Sequence, residues 1–192
     1  MIVEIIVVCL LAKRKGLKLR FLFRTWTFYP ILLAQCVLVV FQASIFFRQY
    51  VFVRFVPYVE TGVIFSFLFA MFAFQLYKPA MVGAASIVAG TVLNKIAIAA
   101  NGGKMPVYPT LSYLTGYVTP DMLAAVDGLH SAGGPDTKLK FLTDYIDYGY
   151  SILSVGDVMI HLYACIMFYY LIKAVSQKYG AGPQNGPLEN EA

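Results

Sequence analysis

The sequence predicts an all-α fold, a polytopic membrane helix bundle of about five transmembrane helices capped by short extracytoplasmic helices. Three observations carry this expectation. The 192 residues are 59% hydrophobic and only 13% charged, with a mean hydropathy of +0.70, whereas soluble domains carry about 25% charged residues. The apolar residues gather into runs near the ~20 residues that cross a bilayer as a helix. Lys and Arg sit at the ends of those runs, which marks topology. The net charge of +5 therefore does not describe a nucleic-acid surface, and no nucleic-acid partner is expected.

Residues 1–12 (MIVEIIVVCLLA) are apolar and carry Glu4. As a helix they reach about 18 Å, short of the ~30 Å hydrocarbon core. A run that begins with Glu and no Lys or Arg is a poor secretory signal, so a short helix sheltered by its neighbours is expected. Lys13, Arg14, Lys15, Lys18, Arg20 and Arg24 follow as the densest positive cluster, expected to be cytoplasmic. Trp26, Phe28 and Tyr29 form an interfacial belt, and Pro30 suits a first helical turn. Ile31–Phe47 is the second span, Arg48–Tyr58 a connector, and Glu60 opens the third span, which runs to about Tyr77. Lys78 and Pro79 are expected to turn the chain. Ala80–Ala100 is the fourth span, 101–149 a polar extracytoplasmic loop, and Ser151–Ile172 the fifth span. Residues 1–179 thus form a single membrane domain. The tail 180–192, rich in Gly, Pro, Asn and Glu, is expected to be disordered and cytoplasmic.

The charges support this order. Nine Lys and Arg fall inside and five outside, with Lys95 within a span, which puts the C-terminus inside. The N-terminus lies outside if the first segment crosses and inside if it does not. Cys9, Cys36 and Cys165 all lie in apolar runs without CxxC spacing, so they read as small hydrophobes rather than a disulfide framework.

The polar loop concentrates the candidate chemistry. It holds five of the six aspartates, Asp121, Asp127, Asp136, Asp144 and Asp147, and the sixth, Asp157, follows in the last span. Thr119-Pro120-Asp121 has the makings of a helix start, with Met122, Leu123, Val126 and Leu129 on one face and Gly128 as a stop. A second start is expected at Asp136 or Thr137, with Leu139, Leu142 and Ile146 on its apolar face. Tyr108, Tyr113, Tyr117, Tyr145, Tyr148 and Tyr150 suit an interfacial belt. The loop reads either as a plain seal on the bundle or as a cover over a binding cavity. Asn101-Gly-Gly-Lys104 reads either as a backbone nest for an anion, helped by Lys104, or as a tight helix exit closed by Met105-Pro106.

NGGKMPV (101–107), TKLKFLTDYI (137–146) and SVGDVMI (154–160) occur in that order. With them the chain resembles a family of small polytopic membrane proteins from Gram-positive and related bacteria, known only as a domain of unknown function. The resemblance covers Asn94 to Ile160 closely and the first half more loosely. Family members often carry a Gly-rich stretch after the first span, where this chain has Lys13-Arg-Lys-Gly-Leu-Lys18. The resemblance implies a bacterial cytoplasmic membrane and five spans, and it implies no activity.

Two helical stripes carry the remaining polar groups. Asp157, His161 and Cys165 share one face of the fifth span at i, i+4, i+8, and Ser86, Gly90 and Asn94 share one face of the fourth. Facing the stripes brings Asn94 to Asp157, with Lys95 placed to pair with Asp157 or Glu60. The expected binding residues are Glu60, Asn94, Lys95, Asn101, Lys104, Asp144 and Asp157. The competing reading is a structural network holding the helices together. A Cys165 nucleophile with a His161 base is a third possibility, but no hydrolase or transferase motif accompanies it. His130 and Asp144, with Asp121 or Asp127, lack the spacing of a metal site, and no nucleotide, haem or flavin motif names a cofactor.

The expected function is that of an integral membrane protein, a non-enzymatic subunit or small-solute-binding component of a membrane complex. Its partners would be membrane lipids and a protein partner or a second copy of itself. The alternative is a membrane-embedded hydrolase or transferase acting on a lipid-linked or peptide substrate through Asp157, Asp144, His130 or the His161/Cys165 pair.

Overall fold

The computed structural model describes residues 1–47, 49–119 and 129–180. Its helices are α1 (Ile2–Arg14), α2 (Phe28–Phe46), α3 (Val56–Phe74), α4 (Tyr77–Ala100), α5 (Leu111–Thr115) and α6 (Val155–Gly180). Short 3-10 turns at Leu19–Arg24 and Tyr50–Phe55 precede α2 and α3. Four helices, α2, α3, α4 and α6, are long and apolar enough to cross a membrane. The chain is thus a membrane-embedded all-α bundle, with four such helices among the described residues where about five were expected. The difference is α1, whose 13 residues rise only about 20 Å.

α6 is the hub. It packs against α4 over the largest interface in the molecule and also against α1, α3 and the first 3-10 turn, while α2 packs mainly on α3. Leu38, Val63, Met167, Leu171, Ile172 and Val175 fill the centre. Outward faces are apolar too, as Leu33, Val40, Phe65, Phe72, Met81 and Val88 show, the surface expected of helices in lipid.

Small residues set the α4–α6 distance. A Cβ on Gly83 would sit 2.6 Å from the Tyr163 ring, one on Gly90 would collide with the Gly156 carbonyl, and one on Gly156 would lie 2.6 Å from the Gly90 carbonyl. The two backbones therefore nearly touch, as small-residue stripes allow in membrane bundles.

The two ends of the bundle differ. At one end the backbone N–H of Lys18 donates to Ser176 Oγ at 2.9 Å, Phe21 and Tyr179 rings lie 6.2 Å apart, and Lys178 Nζ lies 5.5 Å from the Phe74 ring. This gathers the basic cluster beside the end of α6. The reversal between α3 and α4 uses Gln75, left-handed at φ 53, and not the expected Lys78-Pro79. Both of those lie in the first turn of α4, where proline's missing N–H costs nothing.

The polar loop covers the other end, and its described part is more extended than expected. β1 (Met105–Val107) pairs in parallel with β2 (His130–Ala132), with Met105 opposite His130. Its other edge forms a parallel bridge from Val107 to Asp144. β3 (Ile146–Asp147) and β4 (Ile152–Leu153) form an antiparallel ladder leading into α6. The cap helix expected from Asp136 or Thr137 is reduced to a 3-10 turn at Lys140–Leu142, because Leu139 is left-handed at φ 50 and breaks the helix. The cap helix expected at 119–128 falls almost wholly outside the described residues, as does the tail at 181–192.

Candidate functional site

α6 begins with a reciprocal cap. The Ser154 N–H donates to Asp157 Oδ2 and the Asp157 N–H donates to Ser154 Oγ, both at 2.9 Å, the capping-box arrangement for orphan N–H groups. Asn94 on α4 closes the ring. Its Nδ2 donates to Asp157 Oδ1 and its Oδ1 accepts from Ser154 Oγ, each at 2.7 Å. The structure thus brings the two polar stripes together, and Asp157 spends both oxygens on protein donors.

A second polar pair lies deeper. His161 is buried on α6, and its Nδ1 is 2.9 Å from Glu4 Oε1. The apolar first run hid this partner, although a carboxylate within such a run needs one. Cys165 is half-buried and packs against the apolar core. Since Glu4 takes the His161 Nδ1, that atom does not serve Cys165.

Asp144 is the unusual group. Its backbone is fixed beside β1: the Tyr108 N–H donates to its carbonyl at 2.8 Å, and its own N–H donates to the Pro106 carbonyl at 3.1 Å. Its residue is 6% exposed, and Oδ1 has no hydrogen-bond partner. The other oxygen is 3.8 Å from His130 Nε2, beyond hydrogen-bonding distance. Burial, and then the negative charge of Asp157, pushes the Asp144 carboxyl up to about 8.

These groups meet at a cavity of about 370 Å³ between the loop and the ends of α2, α3 and α6. Glu60, Asp144, Asp157, His130, His161 and Tyr117 supply its polar wall. Ile45, Val56, Ile64, Val107, Leu153 and Ile160 supply much of the apolar wall. Glu60 is half-buried and makes no hydrogen bond or ion pair among the described residues. Burial first, then the charges of Glu60 and Asp147, raise the Tyr117 phenol to about 12, so it is a neutral donor.

Three expected site residues lie elsewhere. Lys95 is exposed, about 100° around α4 from Asn94, and pairs with neither Asp157 nor Glu60. Asn101 clasps the loop instead. Its Nδ2 donates to the Lys138 carbonyl and its Oδ1 accepts the Lys138 N–H, both at 2.9 Å. Lys104 is exposed on the Gly-rich turn. That turn is a helix exit: the N–H groups of Asn101 and Gly103 both donate to the Ile98 carbonyl, and that of Lys104 to the Asn101 carbonyl. Gly102 and Gly103 adopt φ 69 and 85, which glycine accepts without strain. Those N–H groups are turned back into the chain and form no anion nest.

Asp147 anchors the loop outside the cavity. It accepts the N–H groups of Thr110, Ser112 and Gly149 at 2.6, 2.8 and 2.7 Å, and the Ser112 hydroxyl. Burial alone would raise its carboxyl, but these donors hold it below the usual range. Among the described residues no group of three His, Cys, Asp or Glu is arranged to hold a metal ion. Asp121 and Asp127 lie outside the described residues.

Residues 20–169 match the model of a Family of unknown function (DUF5317), and the chain belongs to that family. Neither the curated proteins nor the solved structures give a match.

Proposed function

We propose that this family member is a non-enzymatic, small-solute-binding component of the bacterial cytoplasmic membrane. The polar loop stands on the outer face, and the protein works with a protein partner or a second copy of itself. The observation that carries the reading is Asp144, a buried carboxylate with an open oxygen in the wall of a cavity of about 370 Å³. Leaving such a group unmatched costs on the order of 1–3 kcal/mol, and a bound solute removes that cost. The volume lies within the ~300–1,000 Å³ of small-molecule pockets. The excess of Lys and Arg at the end opposite the loop supports the orientation.

Binding is favoured over catalysis because two of the acid–base candidates, Asp157 and His161, are already committed. Asp157 is held by Ser154 and Asn94, and His161 by Glu4. Native mass spectrometry of protein released gently from its own membrane tests the reading. A small molecule retained at one per chain, and lost from an Asp144→Ala variant that still folds, is the expected result. A protein that arrives empty in every preparation, with no solute restoring a bound form, overturns it.

A further inference from the structure

We propose that the cavity takes an amphipathic organic cation, an ammonium head with a short apolar body; this rests on the solute-binding reading above. Among the described residues the wall holds three carboxyl groups, Glu60, Asp144 and Asp157, two imidazoles, and no Lys or Arg. The Met1 ammonium also lines the wall but is already paired with Glu4 at 3.1 Å, so an anion would meet an excess of negative charge there. A neutral solute would leave that charge as it stands. A positive head offsets it and supplies N–H donors.

The open acceptors are in the right place for such donors. Asp157 has both oxygens occupied, but Asp144 has a buried Oδ1 without a partner and Glu60 makes no hydrogen bond. The two acceptors come from different elements, the loop beside β1 and the first turns of α3, so a ligand engaging both would bridge loop and bundle. Tyr117 adds an aromatic ring to the same wall, a favourable neighbour for an ammonium. A bare metal ion fits poorly, since among the described residues no three His, Cys, Asp or Glu side chains converge. Much of the rest of the wall is aliphatic, with Ile45, Val56, Ile64 and Ile160, and it suits an alkyl body better than a hydrated ion.

The test uses the full chain in mild detergent and three six-carbon probes that differ only in head group: hexylammonium, hexanol and hexanoate. Isothermal titration at neutral pH reads affinity and stoichiometry. Hexylammonium should saturate one site per chain and bind at least tenfold tighter than the other two. Glu60→Gln and Asp144→Asn should each weaken it about tenfold or more. The Glu60 variant touches no hydrogen bond, so it reports even if the Asp144 variant does not fold. If hexanol or hexanoate binds as tightly, or the Glu60 variant leaves hexylammonium binding unchanged, the cation assignment is overturned while solute binding stands. If none of the three saturates, the cation assignment is overturned, and solute binding itself then falls only if native mass spectrometry also finds the protein empty.

Discussion

Replacing Gly156 by alanine adds one methyl group at the tightest point of the α4–α6 interface. The new Cβ would lie 2.6 Å from both Asn94 Cγ and the Gly90 carbonyl oxygen, and closer still to Asn94 Oδ1. Comfortable separations are about 3.5–4.0 Å, so the helices must part by roughly 1 Å at this level. The Asn94–Asp157 bond, 2.7 Å in the native structure, then exceeds the ~3.2 Å limit of a good hydrogen bond. Overpacking costs about 1–3 kcal/mol, and a lost bond to a charged group about 1.5–3 kcal/mol. The helix propensity of alanine offsets at most about 1 kcal/mol. The expected net destabilisation is about 2–4 kcal/mol. Unfolding in mixed detergent and dodecyl sulfate micelles, followed by circular dichroism, measures it. Gly62→Ala on α3 is the internal control. Nothing lies within 4 Å of its Cβ position, so it should be neutral or stabilising by up to about 1 kcal/mol. Truncating Asn94 to alanine removes two of the three clashing atoms, so Asn94→Ala with Gly156→Ala should cost less than the sum of the single changes. If Gly156→Ala unfolds together with Gly62→Ala, the close-contact account of this interface is refuted.

Raising the pH should weaken the fold through Asp144. Its folded carboxyl lies near 8, above its unfolded value of about 3.9. Its contribution is therefore full below the unfolded value, fades as pH rises, and levels off above about 8; Asp144→Asn should flatten this dependence in a denaturation series. His130, Asp157, Glu60 and His161 share its surroundings, so the comparison of wild type with variant isolates the Asp144 share. For the same reason hexylammonium, charged throughout, should bind more tightly as pH rises from 6 towards 9, and titration at stepped pH checks this. Asp147 has the opposite sign. Its carboxyl is held low, so its contribution is present above the unfolded value and lost as pH falls through the folded one. Asp147→Ala should speed hydrogen exchange at the amides of Ser112 and Gly149, with a cost on the order of 1 kcal/mol for this partly exposed group. Glu4→Ala leaves the buried His161 Nδ1 unmatched at about 1–3 kcal/mol, and should raise the thiol-labelling rate of Cys165 in a background where Cys9 and Cys36 are both replaced by alanine.

The spans were legible because lipid demands long apolar helices whose backbone groups are satisfied internally, and hydropathy records that demand directly. The contact between Asn94 and Asp157 was legible because i, i+4, i+8 spacing marks one helix face. The same rule excludes Lys95, one position around the helix from Asn94. The roles of Asn101 and the Gly-rich turn depend on which N–H groups bond back into α4, and composition does not encode that. The pairing of Glu4 with His161 spans 157 residues and follows from the docking of α1 on α6, which no local pattern announces. Asp144 was singled out as an acidic loop residue, but its burial arises from the parallel pairing around β1. Three-residue strands leave almost no periodicity to read.

The position of α6 has a consequence for how the chain is made. The last of the described helices to leave the ribosome is the one on which α1, α3 and α4 all pack. At about 5–20 residues per second, His161 emerges roughly 8–30 s after Glu4. For that interval α1 lacks the helix it docks on, and the small residues of α4 lack the backbone they pack against. Assembly therefore completes from the carboxyl side, with α6 arriving as the keystone. A nascent chain stalled within the polar loop holds three complete spans that have not yet acquired their common neighbour.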